Sequence, residues 1–174
     1  MSNPWNRASP ATWPYGPNQT TDNFSSLPNG QAKGLGIISP STVSAPFGDI
    51  ILPPWKFTLS ANPTAGNSIS RYLLFSEDDV LWPGNIGPTS TSDQSVALAA
   101  WLAADPLVAN LALIDTLTMQ GTQTLYLTRW VSIRGLIGNV PTYCAILIYN
   151  NSGQALAAYS SGNQSATYVT ESYN

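Results

Sequence analysis

Three consecutive carboxylates, Glu77-Asp78-Asp79, form the only acidic cluster in the chain. Clustered oxygens are what Ca²⁺ takes as ligands. The spacing of a calcium loop is missing: with Asp78 as the first position, the sixth is Pro83 rather than Gly and the twelfth is Thr89 rather than Glu. The cluster therefore reads as a solvated hairpin loop. Asp115-Thr116-Leu117 begins like an aspartic-protease loop, but Leu117 stands where its tight turn needs glycine. A glycosidase needs two carboxyl groups about 5–10 Å apart across a cleft, and no spacing among the nine acidic residues singles out such a pair. A Ser-Lys nucleophile pair would have to use Lys33 or Lys56, the only lysines. Lys33 lies in a Pro/Gly-rich stretch and Lys56 follows Pro53-Pro54-Trp55, and neither sits in a motif. No histidine is present, which removes the commonest general base and metal ligand. No phosphate-binding loop occurs, and Gly34-Leu35-Gly36 reads as a hinge. These residues predict a chain that is not an enzyme and has no catalytic, cofactor or metal site.

The remaining charges point the same way. Arg7, Lys33, Lys56, Arg71, Arg129 and Arg134 are scattered, and the net charge is −3. Phosphate backbones require clustered cations, so no nucleic-acid partner is expected. Charged residues make up 9% of the chain, far below the usual ~25%. A surface so poor in charge reads as one covered by partners. The longest apolar run, Val96 to Ala104, is well short of the ~20 residues that span a bilayer. The start has neither the basic nor the apolar segment of a secretory signal. The single Cys144 excludes an intrachain disulfide framework; it lies in an apolar run and is expected to be a buried, inert thiol. Together these predict assembly in a reducing cytoplasm and no membrane partner.

The elements that would hold these residues divide the sequence in two. Residues 1–45 carry six prolines and no helical or strand period. They still place Trp5, Trp13, Tyr15 and Phe24 where a solvated linker would not want aromatics. The prediction is an extended arm that docks these aromatics on a partner; an arm folded back on its own domain is the alternative. From residue 46 to 174 the pattern turns to strands. Asp49 to Leu52 is stopped by Pro53-Pro54, and Trp55 to Leu59 alternates after them. Asn62 to Asn67 is a turn, and Ile69, Leu73 and Phe75 form an inner row broken by Arg71. Leu111, Leu113, Leu117 and Met119 fall on one face with Asp115 breaking it. Leu125 to Ile133 alternates with Tyr126, Thr128, Trp130 and Ser132, Arg129 again breaking the inner row. Gly135 to Pro141 reads as a loop, and Tyr143 to Tyr149 as a strand buried on both faces. Asn150-Asn151-Ser152-Gly153 signals a hairpin, with a return strand over 154–159 and a last strand near 165–170. One helix is expected over residues 93–104, capped by Ser92 or Asp93 and ended by Pro106. This spacing predicts an all-β fold, an antiparallel β-sandwich of jelly-roll type with one short helix.

Trp101 and Trp130 sit among apolar neighbours and read as core, whereas Trp82 lies in a polar loop and reads as a contact residue. Exposed aromatics can stack on sugars, so a carbohydrate-binding module is one reading. Arg71 and Arg129 can pair with Asp115 or Glu77, or face solvent at an edge; the sequence does not choose.

Arg71 to Asp78 followed by Trp82 resembles a motif of small β-sandwich virion proteins of tailed bacteriophages, in which an apolar strand ends in Ser-x-Asp-Gly and an aromatic follows. Ile146 to Ala158, then Gly162-Asn163, is similar to the C-terminal hairpin of those proteins. The resemblance spans roughly the last 110 residues and none of residues 1–45. Asp79 departs from it, standing where the family has Gly. The resemblance implies a structural role in the virion: a capsid decoration (cement) protein on the major capsid protein, or a head-fibre, neck or tail accessory. It also implies a homo-oligomer, a trimer. Partner contacts are then expected at Trp5, Trp13, Tyr15, Phe24 and Trp82.

Overall fold

The computed structural model describes residues 5–12, 26–38, 48–77, 96–97, 110–158 and 166–173. In chain order the strands are β1 (Trp5–Arg7), β2 (Ala11–Thr12), β3 (Gln31–Gly34), β4 (Asp49–Leu52), β5 (Lys56–Thr58) and β6 (Ser68–Ser76). They continue with β7 (Val96–Ala97), β8 (Leu111–Thr118), β9 (Leu125–Leu127), β10 (Val131–Ser132), β11 (Tyr143–Asn151) and β12 (Thr167–Tyr173). One helix, α1 (Ile133–Ile137), occurs among the described residues. The fold is all-β and every strand pairing is antiparallel. One five-stranded sheet runs β1-β12-β4-β10, with β2 also on β12. A second runs β7-β3-β11-β6-β8, and β5 and β9 form a two-stranded ribbon.

The longest strands hold the second sheet together. Cys144, Ile146 and Ile148 of β11 point into the main core, while Ala145 and Leu147 join a smaller cluster with Ala32 and Leu74 on the opposite face. Burial on both faces is what the unbroken apolar run predicts. The main core gathers Ile50 and Leu52 of β4, Trp55 and Phe57 beside them, and Ile69 and Leu73 of β6. Side chains of both five-stranded sheets and of the ribbon thus meet in one core.

Several expectations are corrected. The arm proposed for residues 1–45 does not stand apart where it is described. β3 pairs with β11 in the middle of a sheet, and Leu27, Leu35 and Ile38 are core residues. β1 and β2 pair with β12. The cause is the hydrogen-bonding demand of a central strand: both edges of β11 need partners, and Gln31-Ala32-Lys33-Gly34 supplies one without any hydrophobic period to announce it. Of the helix expected over 93–104, Val96–Ala97 is instead a strand paired with Gln31–Ala32; the other positions lie outside the described residues. A helix forms where a loop was expected. Ser132 caps it by accepting from the Gly135 amide at 2.7 Å, and Gly138 ends it at φ +86°. Buried Asp49 completes the start, accepting from Ser132 Oγ at 2.5 Å and the Arg134 amide at 2.9 Å.

The turn after β11 is real, with Gly153 at φ +88°. The return segment does not pair back as a hairpin, however. It crosses to the ribbon, where Leu156 bridges Leu59. The predicted face of β9 is reversed, and that of β8 holds only beyond its bulge, where Leu117 packs against the main core and Met119 is buried. On β8, Ile114 and Asp115 are both buried and Leu113 is 51% exposed. The pairing with β6 shifts between Arg71 and Tyr72, and a bulge of this kind moves every following side chain to the other face. On β9, Tyr126 is buried while Leu125 and Leu127 face out. Trp130, expected in the core, is 56% exposed.

Candidate functional site

Arg71 lies on the inward row of β6 and is almost wholly buried, at 1% exposure. A buried guanidinium requires a partner, and the register supplies one: Asp115 stands directly across on β8. Nε donates to Oδ1 at 2.8 Å and Nη2 to Oδ2 at 2.7 Å, a bidentate fork. Nη2 also reaches the Arg129 carbonyl at 3.5 Å, while Nη1 has no hydrogen-bond partner. The guanidinium carbon sits 4.9 Å from the Trp55 ring centre, a cation–π geometry. Trp55 is itself fixed, its amide donating to Thr128 Oγ1 at 2.7 Å and Nε1 to the Thr167 carbonyl at 2.6 Å. Asp115 alternates in phase with Leu117 and Met119 and turns inward with them, while the bulge beside it sends Leu113 outward. Of the pairings left open by the sequence, Arg71 takes Asp115, while the Arg129 side chain is exposed.

This constellation joins β6, β8 and the segment before β5. It holds a charge pair inside the core and presents neither group to solvent. Its chemistry is structural. Asp49, the other buried carboxylate at the sheet margins, is spent on the helix start. Glu77 is exposed and accepts from Thr142 Oγ1 at 2.6 Å; Asp78 and Asp79 lie outside the described residues. Among the described residues no three His, Cys, Asp or Glu gather around one point. Cys144 is a buried free thiol whose pKa burial pushes up to about 12. Partial burial of the Tyr168 hydroxyl, and then its electrostatic coupling to Cys144, raise its pKa in turn.

The outward features are apolar. Leu113, Leu125, Leu127 and Trp130 are large hydrophobic side chains exposed by about half. Arg7 lies 5.9 Å from the Trp130 ring centre and forms an ion pair with Glu171 at 2.5 Å. Of the predicted contact residues, Trp5 is placed on β1 opposite Tyr173. Trp13, Tyr15, Phe24 and Trp82 lie outside the described residues. The exposed leucines and Trp130 were missed because an alternating strand does not reveal which row faces out until its partner is known. No helix among the described residues is long and apolar enough to cross a membrane. Comparison of the sequence with protein-family models and with curated proteins gives no match.

Proposed function

We propose that this chain is a non-catalytic virion protein of a tailed bacteriophage, a capsid decoration protein that binds the major capsid protein and associates with copies of itself. The observation that carries the reading is how polarity is distributed. Buried Arg71, Asp115 and Asp49 are held by internal bonds, Arg71 with Asp115 and Asp49 with the start of α1, whereas half-exposed Leu113, Leu125, Leu127 and Trp130 face outward. Apolar side chains on the outside of a charge-poor chain suit docking against protein. The resemblance of residues 71–82 and 146–163 to small phage virion proteins supplies the assembly. The finer architecture that goes with this reading is a jelly-roll sandwich built on the two five-stranded sheets.

Many copies on a symmetric shell make modest individual contacts sufficient. The test is binding of the full chain to purified heads of the phage that encodes it, stripped of the protein. Saturable binding at hundreds of sites supports decoration. Six to twelve sites assign the chain to the neck or tail instead. A second reading rests on Trp130, whose exposed ring can stack on a sugar. Glycan-array binding lost in Trp130→Ala would favour it.

A further inference from the structure

Unpaired strand edges invite other strands, and natural proteins guard them with bulges, inward charges, prolines or brevity. Most edges among the described residues are guarded in this way. β8 carries the bulge and inward-facing Asp115. β7 and β10 are two residues long, and β10 runs directly into α1. β1 carries the exposed Arg7–Glu171 pair, and Pro10 follows it.

The outer edge of β9, though only three residues long, carries no bulge, inward charge or proline. The Leu59 amide donates to the Thr124 carbonyl and the Thr128 amide to the Trp55 carbonyl. Residues 124, 126 and 128 therefore bond toward β5, and the main-chain groups of Leu125 and Leu127 point away from it. No described strand pairs on that side. The other edge of the ribbon is covered, the Ala157 amide donating to the Thr58 carbonyl. Below the strand, Tyr126 is buried and its hydroxyl accepts from the Gln120 amide at 3.0 Å, which holds the edge in place. Above it, Leu125 and Leu127 are 47% and 59% exposed.

We propose that β9 pairs antiparallel with β9 of a second copy of this chain, about a two-fold axis through Tyr126. The occupant follows from charge and register. Residues 116–128 contain no charged side chain, so the segment meets itself without like-charge repulsion. Centring on Tyr126 places Leu125 opposite Leu127 of the second copy and Thr124 opposite Thr128. Arg129 then falls opposite Gln123. Both leucine pairings are of the hydrogen-bonded kind and exchange their outward main-chain groups. A two-fold contact uses the same patch on both copies and closes as a dimer. It is a two-fold self-association, distinct from the trimer that the resemblance implies, and it does not depend on a capsid being the partner.

A three-residue edge buries far less than the ~1,600 Å² of a standard interface, so the free dimer is weak and its detection needs concentrated protein. Sedimentation of the full chain from about 10 µM to about 2 mM tests this. The expected result is a reversible monomer–dimer equilibrium that Leu125→Lys/Leu127→Lys weakens about tenfold or more, since lysines then face lysines across the axis. Should the lysine variant lower the melting temperature, Leu125→Thr/Leu127→Thr keeps strand preference and serves instead. Under mild oxidation Leu125→Cys/Leu127→Cys should yield a covalent dimer, because paired Cα atoms about 5.5 Å apart accept a disulfide. A wild-type monomer throughout, or association unaltered in both substituted variants, would overturn the proposal. The sedimentation result stands whether or not the chain is found on capsids, so the two readings fail separately.

Discussion

Replacing Asp115 by asparagine keeps the shape of the side chain and removes its charge. The Arg71 guanidinium cannot shed its proton, and at 1% exposure it cannot reach water. Its Nη1 already lacks a partner, so the loss of the carboxylate charge leaves only neutral partners, the Trp55 face at 4.9 Å, the Arg129 carbonyl at 3.5 Å and the amide oxygen of the new side chain, to offset a buried charge. Removing one member of such a pair costs about 3–5 kcal/mol. A domain of this size shifts by roughly 2–4 °C per kcal/mol, so the melting temperature of Asp115→Asn should fall by about 6–20 °C. Replacing both residues by apolar groups, Arg71→Met with Asp115→Leu, removes the unpaired Nη1 together with the charge pair. That double variant should recover most of the loss or exceed wild type by about 1–4 kcal/mol. Urea titrations of wild type, Arg71→Met, Asp115→Leu and the double variant give the coupling directly. A drop below about 2 °C in Asp115→Asn, or additive effects in the double variant, would refute a buried, mutually dependent pair.

Burial of Cys144 makes stability fall at alkaline pH. Below about pH 9 the thiol is protonated in both states; between about 9 and 12 the unfolded chain loses the proton and the folded chain keeps it. Wild type should lose up to about 4 kcal/mol over that window that Cys144→Ala does not, and urea unfolding at pH 8 and pH 11 would show equal losses if the thiol were not buried. Gly153 combines φ +88° with a close approach, since an added Cβ would lie 2.4 Å from Thr64 Oγ1. Gly153→Ala should cost about 2–4 kcal/mol by thermal melting, and adding Thr64→Ala should relieve the contact with Oγ1 but neither the 3.0 Å approach to the Thr64 Cβ nor the backbone strain. Deleting residues 1–40 removes β3, Leu27, Leu35 and Ile38; the truncated chain should give no cooperative melt by circular dichroism, and a wild-type-like melt would show that the core does without β3.

The two long strands were legible because their signals are complete in themselves. β6 alternates through Ile69, Arg71 and Leu73, and β11 is apolar without interruption. The break in the β6 row at Arg71 was legible too, and Asp115 stood among its candidate partners. Its resolution was not, because which residue of β8 stands across from Arg71 is a property of the pairing between two strands rather than of either one. β3 illustrates the same limit. Gln31-Ala32-Lys33-Gly34 has no strand pattern, and it is a strand because β11 and β7 flank it. On β9 the alternation was visible but its sense was not, since Leu125 and Tyr126 satisfy an inner row equally until β5 fixes which one turns inward. That one reversal hid the exposed leucine edge. The aromatics at Trp13, Tyr15, Phe24 and Trp82 were drawn from composition alone and fall outside the described residues.

Quantitative mass spectrometry of purified virions whose genome encodes the chain measures its copy number against the major capsid protein. The account predicts hundreds of copies per particle, in fixed ratio to the capsid protein; absence of the chain from intact virions would contradict it.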